Sequence, residues 1–138
     1  MSALAEIYTA LSDITIGGVK CRNLPKVKLV VNDSDLPLRL LVPSTGGEME
    51  YVGIGTLGSI EWSIRDVCLW APLTGGGIQQ VAEPMMDYIK AYLTAVKGLR
   101  NPSSQSVITR IGVQLGPLLW GEVDYWAIDC NLNVEEIL

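Results

Sequence analysis

The sequence predicts a single α+β domain, with a twisted, mostly antiparallel sheet and helices on one side of it. Two segments carry apolar residues at helical spacing, and the remaining apolar residues alternate with polar ones, as in strands. The 138 residues show no internal repeat and no low-complexity segment. This length is common for one domain, so we expect residues 1–138 to share one hydrophobic core.

The helices are a short N-terminal one, predicted over residues 2–12, and a longer central one, predicted over about 79–98. Regular helix is expected from Glu83, because Pro84 is tolerated only in a first turn, and Gly98 is expected as the C-cap. The apolar face of the first helix is Leu4, Ile7, Tyr8 and Leu11. The apolar stripe of the second is Met85, Met86, Ile89, Tyr92, Leu93 and Val96.

Strands are predicted at residues 24–31, 36–42, 61–70, 107–115 and 123–134. The strand at 61–70 becomes apolar on both faces, which is typical of the buried middle of a sheet. Gly116-Pro117 is expected to end the fourth strand. The inward set of that strand is predicted as Val107, Ile111, Val113 and Leu115. In the last strand, Trp126, Ile128, Cys130, Leu132 and Val134 share one face, opposite Tyr125, Asp129, Asn131 and Asn133.

Residues 44–60 are predicted to form a mobile, Gly-rich loop that orders against a partner. Within it, Gly53–Gly58 matches G-x-G-x-x-G, but a strand follows where a dinucleotide site needs a helix. We therefore interpret the loop as a candidate interface and predict no nucleotide site. The candidate interface residues are Gly46, Gly47, Glu48, Glu50, Tyr51, Gly53, Gly55 and Gly58.

The composition argues against catalysis and against sequence-specific DNA binding. The chain has no His, and its three Cys contain no C-x-x-C pair, so we predict no catalytic residue, metal site or cofactor. Cys21 falls in a turn-rich stretch, and Cys68 and Cys130 are expected as core residues. The acidic pairs Asp33/Asp35, Glu48/Glu50 and Glu135/Glu136 are interpreted as solvated carboxylates of loops and the terminus. The net charge of −5 does not provide a basic footprint for DNA.

The sequence is also poor in charge. Charged residues make up 18% of the chain, against about 25% in an average domain. Either the core is large for the size of the domain, or surface is buried against other subunits, and we favour the second interpretation. The N-terminus lacks a signal peptide pattern and no apolar run is long enough to span a bilayer, so we expect folding in a cytoplasm without membrane contact.

The element order resembles that of the tail terminator, or tail completion, proteins of long-tailed bacteriophages. An N-terminal helix and a strand pair precede a Gly-rich loop and a long strand. A central helix with a Met/Tyr/Leu stripe follows, and the last two strands are joined by Gly-Pro-Leu-Leu-Trp-Gly-Glu-Val at residues 116–123. The resemblance covers nearly the full length and rests on pattern, size and the closing hairpin.

The resemblance implies a structural virion protein without catalytic residues, made in the host cytoplasm. Its subunits would form a homohexameric ring that ends the tail tube and offers the head connector, or stopper, a docking face. DNA would pass through the lumen as cargo only. Two alternatives stay open: another neck or tail protein, such as a head-completion stopper or a tube-like subunit, and a small cytoplasmic enzyme or ligand-binding domain with a pocket near Trp70 and Trp120.

Overall fold

The computed structural model describes residues 3–17, 19–23, 31, 35–43, 50–52, 59–73, 81–102 and 106–137. It contains two helices and six strands within these residues. In chain order they are α1 (Ala3–Ser12), β1 (Lys20–Asn23), β2 (Leu38–Pro43), β3 (Glu50–Val52), β4 (Ser59–Pro72), α2 (Ala82–Leu99), β5 (Ser106–Trp120) and β6 (Val123–Ile137). The predicted α+β class is confirmed.

The strands form one sheet in the order β1-β2-β4-β6-β5, and β3 pairs with the start of β4. Only the β1–β2 pair is parallel, and the other described pairs are antiparallel. The frame of the sheet is the set of three long strands β4, β6 and β5, with β6 in the centre. Among the described strands, β5 therefore has a neighbour on one side only.

Both helices pack on the same face of the sheet, as predicted. Amphipathic helices are stabilised chiefly by burying their apolar stripe, here against the sheet. From α1, Ile7, Tyr8 and Leu11 enter the core, and the last strand contributes the face that its alternation predicts. The buried members of this helix-side core are Ile7, Tyr8, Leu11, Leu41, Ile64, Cys68, Met85, Tyr88, Tyr92, Val96, Ile128, Cys130, Leu132 and Val134.

A second apolar cluster lies on the opposite face, toward one end of the sheet. It joins Leu38 and Leu40 of β2 to Val67 and Leu69 of β4, with Val31, Tyr125 and Ala127. Tyr125 was expected on a polar face, and that expectation is wrong: its side chain is buried and its hydroxyl donates to the carbonyl of Val31 at 3.4 Å. The half of β4 that is apolar on both faces therefore packs against the helix-side core on one face and against this second cluster on the other.

The structure corrects the predicted face of α2. Met85, Tyr92 and Val96 are buried as predicted, but Met86 and Leu93 are exposed. Tyr88, which the prediction left out of the stripe, is buried. Positions 85, 88, 92 and 96 follow the helical period more closely, so the buried stripe is narrower than predicted. Gly98 is not the C-cap, because the helix continues to Leu99 and ends at Arg100 with φ 47°.

Several predicted boundaries also differ. Cys21 lies in β1 and not in a turn. β5 runs through Gly116-Pro117 to Trp120, because β5 is an edge strand among the described strands and an edge strand tolerates a proline, which has no backbone N–H to donate. A register shift between Ile108 and Arg110 makes Ile108, and not Val107, the residue that packs on the helix-side core. The acidic pair Glu135 and Glu136 belongs to β6, where Glu136 accepts a 2.7 Å hydrogen bond from Trp62 Nε1.

The predicted loop at 44–60 is wrong where the structure describes it. Glu50 and Tyr51 belong to β3, paired with Glu61 and Ile60, and β4 already begins at Ser59. A Gly-rich sequence was interpreted as loop although a short hairpin needs only a few paired residues between turns. The other candidate interface residues, Gly46, Gly47, Glu48, Gly53, Gly55 and Gly58, lie outside the described residues, as do 24–30 of the predicted strand at 24–31.

Candidate assembly surface

A groove runs between the C-terminal half of α2 and the beginning of β5. Its floor is apolar and comes from Leu93 and Val96 of the helix and Ile108 and Ile111 of the strand. The groove has a volume of about 490 Å³. It exists because α2 covers the centre of the sheet and leaves the flank of the edge strand partly open, so that apolar side chains remain accessible there.

The end of α2 is tied directly to β5. The N–H of Ile108 donates to the carbonyl of Arg100 at 2.8 Å, and the N–H of Arg100 donates to the carbonyl of Val96 at 2.9 Å. The register shift beside Ile108 leaves Thr109 without a partner position in β6. A strand bends at such an irregularity, and the bend re-aims the side chains beside it. Helix end and strand therefore hold the walls of the groove in fixed positions.

Three cations surround the groove: Lys97, Arg100 and Arg110, all with exposed side chains. Within the part of the chain that the structure describes, none of them has an ion-pair partner. The whole chain carries a net charge of −5, so a group of unpaired cations on one flank is a local reversal of sign. Such a flank attracts carboxylates or other anions.

Arg100 occupies a backbone conformation that disfavours it. Its φ of 47° and ψ of −53° lie in a region that side chains with a Cβ rarely adopt. Glycine is the usual residue where a helix ends with positive φ. An arginine at this position therefore costs stability relative to glycine.

Three further apolar side chains are exposed at one end of the sheet, here called the apolar tip: Leu73, Leu119 and Val123, the last two on opposite faces of the β5–β6 hairpin. Leu119 and Val123 flank the tight turn between β5 and β6, where Gly121 and Glu122 have positive φ values of 56° and 70°. Leu73 joins them because its N–H donates to the carbonyl of Asp124 at 2.9 Å. Leu119 is 64% exposed, which is unfavourable for a large apolar side chain unless it meets a partner.

The face of the sheet opposite the helices is polar away from the second apolar cluster. Gly112 and Gly116 leave room above β5, since a Cβ added to either would meet nothing within 4 Å. Two adjoining hollows of about 360 and 430 Å³ lie over them and share Gln114. Asn131 and Asn133 line one hollow. Asp129 lines the other and is held by Arg65 through hydrogen bonds of 3.0 and 2.8 Å. This open polar face offers amide groups and one cation, Arg110, which lines the same hollow as Asn131 and Asn133.

A buried polar network lies under the helices and was missed by the sequence analysis. Arg39 forms a two-pronged ion pair with Asp66, and the hydroxyl of Tyr92 donates to the same carboxylate at 2.7 Å. Arg39 also donates to the carbonyls of Leu11 and Ile14, at 3.0 and 2.7 Å. The network therefore joins α1, β2, β4 and α2 through one guanidinium group.

The charges of this network are stable in place. Burial lowers the pKa of Arg39, but the charge of Asp66 and their hydrogen bonds outweigh burial and raise it above its usual range. Burial, reinforced by the charge of Asp66, raises the pKa of Tyr92. We assign the network to folding, because both charged groups in it are buried and each is satisfied by a neighbour.

The three thiols are held in their protonated form. Burial raises the pKa of Cys21 to about 11 and that of Cys68 to about 12, and it raises the pKa of Cys130 as well. All three cysteines are free. Because the thiolate is the nucleophilic form, these groups are poor nucleophiles at neutral pH.

The structure does not bring together the residues of the alternative ligand pocket. Trp70 packs against the helix-side core, whereas Trp120 packs against the cluster on the opposite face. The sheet therefore separates the two side chains, and a pocket near both is not formed. The described walls of the groove come from α2 and β5, whereas Glu50 and Tyr51 of the candidate interface residues belong to β3.

No family model matches this chain, and no curated protein matches it. Neither helix that the structure describes is long and apolar enough to cross a membrane. Among the described residues, no group of three or more His, Cys, Asp or Glu side chains is arranged to hold a metal ion.

Proposed function

We propose that this chain is a structural virion protein, a tail terminator of a long-tailed bacteriophage. Its copies form a closed homohexameric ring that ends the tail tube and provides the docking face for the head connector or stopper. DNA passes through the lumen as cargo, and no cofactor or membrane takes part. The proposal places the protein in the neck of the virion.

The observation that carries the proposal is the concentration of exposed apolar side chains on two surfaces. Apart from Ile137, the large apolar side chains exposed among the described residues lie on α2 or at the apolar tip. All of them except Leu73 lie on helices or paired strands, and covering them with a partner would remove their apolar surface from water. A ring subunit needs two such surfaces, one for its neighbour and one for the structure on which the ring sits.

The open polar face is compatible with the lumen of such a ring. Its amide side chains offer hydrogen bonds, and Asp129 is already neutralised by Arg65. Strong binding of DNA rests on Lys and Arg side chains that replace counterions around the phosphates. Of the described residues that line the two hollows, Arg110 is the one cation, and a single cation among amides and the Arg65–Asp129 pair should hold a duplex only weakly.

The first test is the mass of the protein in solution, followed by imaging of assembled particles. We expect a multimer of constant mass over a wide concentration range, seen as a ring, or a ring that forms when the protein docks on the tail. A cyclic interface leaves no open ends, so the assembly stops at one size. A monomer both alone and on assembled particles contradicts the proposal.

The alternative neck and tail roles predict different defects in particles that lack this chain. A terminator ends a polymer, so its absence should leave the tail without a fixed length. A head-completion stopper acts on the other side of the joint, so tails of normal length should accumulate without heads. A tube-like subunit should leave no tail. Electron microscopy of the defective particles separates these outcomes.

A further inference from the structure

The groove between α2 and β5 has a counterpart on the same chain. We propose that it receives the first turns of α2 from a second copy, in a head-to-tail contact between neighbours. The inserted surface, here called the acidic patch, consists of Glu83, Met86 and Asp87. This inference rests on the proposed function, because it requires that copies of the chain assemble. It specifies the contact that joins neighbouring copies.

The acidic patch is exposed and mixed in character. Met86 is 50% exposed, and the exposed carboxylates of Glu83 and Asp87 stand beside it. Residues three apart on a helix are surface neighbours, so Glu83 and Met86 form one contact surface. The helix dipole favours carboxylates at the start of a helix and cations at its end. α2 follows this arrangement, with Glu83 in its first turn and Lys97 in its last.

The groove and the acidic patch are complementary in both polarity and charge. The groove combines an apolar floor with Lys97, Arg100 and Arg110, which have no ion-pair partner among the described residues, and the patch combines an apolar side chain with two carboxylates. An unbranched, flexible methionine adapts to irregular apolar gaps. Charges at the margin of such a contact steer association and reject wrong partners.

The chain cannot place its own patch in its own groove, so this contact requires a second copy. Met86 and Leu93 lie on one continuous helix, seven residues and therefore about 10 Å apart. The contact joins two different surfaces, so each copy still offers one free groove and one free patch after pairing. Contacts of this kind close into rings when the rotation between neighbours permits.

The test uses charge reversal at each side of the contact. One variant carries Glu83→Lys and Asp87→Lys, and the other carries Lys97→Glu and Arg100→Glu. Each places like charges on both sides, and we expect the apparent dissociation constant of the assembly to rise by about a hundredfold or more. In an equimolar mixture each reversed patch meets a reversed groove, so assembly should return with the two variants alternating.

A matched control carries Glu6→Lys and Asp13→Lys, two exposed acidic positions on and just after α1. It changes the net charge by the same amount as the patch variant and should assemble normally. Melting curves of all variants show whether each is folded. Masses are measured by light scattering in solution, and copy numbers are counted on particles.

The outcomes separate this inference from the proposed function. Loss of assembly in each variant with recovery in the mixture supports the contact. A multimer that tolerates both reversals overturns the contact and leaves the ring intact. A wild-type protein that stops at a dimer overturns the head-to-tail arrangement, and one that is monomeric alone and on particles overturns both proposals.

Discussion

Two groups of cations in the described part of the chain differ in their surroundings, one enclosed by the fold and one left open. Arg39 is buried and bound to Asp66, whereas Lys97, Arg100 and Arg110 surround the groove without an ion-pair partner among the described residues. A buried charge that loses its partner costs several kcal/mol, while an exposed charge costs little. The first group therefore holds the fold, and the second is available to a partner.

The largest expected effect comes from breaking the enclosed group. Asp66→Asn keeps the size of the side chain but removes the charge that compensates Arg39, so the free energy of unfolding should fall by about 3–5 kcal/mol. Urea denaturation measures the loss from the shift of the midpoint.

The matched control for Asp66→Asn replaces both partners, as Arg39→Met with Asp66→Leu. Because no buried charge is left alone, the double variant should lose less stability than Asp66→Asn. A loss below about 1 kcal/mol in Asp66→Asn would mean that the pair behaves as a surface ion pair and that Arg39 does not depend on it.

A smaller effect is expected from the hydroxyl that completes the network. Tyr92→Phe removes the 2.7 Å hydrogen bond to Asp66 and should cost about 1.5–3 kcal/mol, the range for hydrogen bonds to charged groups. Asp66 keeps its bonds to Arg39, so the loss should stay below that of Asp66→Asn.

Tyr88→Phe is the natural control for Tyr92→Phe, because the two rings stack with their centroids 5.8 Å apart on the same helix. The hydroxyl of Tyr88 is buried, and no described residue gives it a hydrogen bond of good geometry, although the Cys68 thiol is close enough to influence its pKa. Removing an unsatisfied hydroxyl should leave stability unchanged or slightly raised. Equal losses in the two variants would contradict the assignment of the network.

The ion pair between Arg39 and Asp66 could have been predicted from the sequence. Arg39 is the only charge in the apolar run from 36 to 43, and Asp66 sits where β4 becomes apolar on both faces. A lone charge in a buried strand needs a partner of opposite sign. The presence of one such charge in each strand therefore predicts that the two strands are neighbours. The periodicity that placed the strands and helices also predicted the core face of β6 correctly.

The groove was not within reach of the sequence. Its walls come from two different elements, and its shape depends on the register shift near Thr109, which no residue pattern indicates. The apolar stripe of α2 was predicted too wide for a related reason. Met86 and Leu93 fit the helical period, but which side of a stripe faces the sheet depends on how the helix lies across the strands.

The last expected effect concerns Arg100, a member of the open group whose backbone conformation is unfavourable for a residue with a Cβ. Glycine adopts a φ of 47° without a steric penalty, so Arg100→Gly should raise the free energy of unfolding by about 1 kcal/mol. The same change removes a cation from the groove, so assembly should weaken while the monomer becomes more stable. Lys97→Ala, which removes a cation without relieving the backbone, should weaken assembly and shift stability by less than about 0.5 kcal/mol. If Arg100→Gly assembled as well as the wild type, the cation would not contribute to the contact, and its unfavourable conformation would need another explanation.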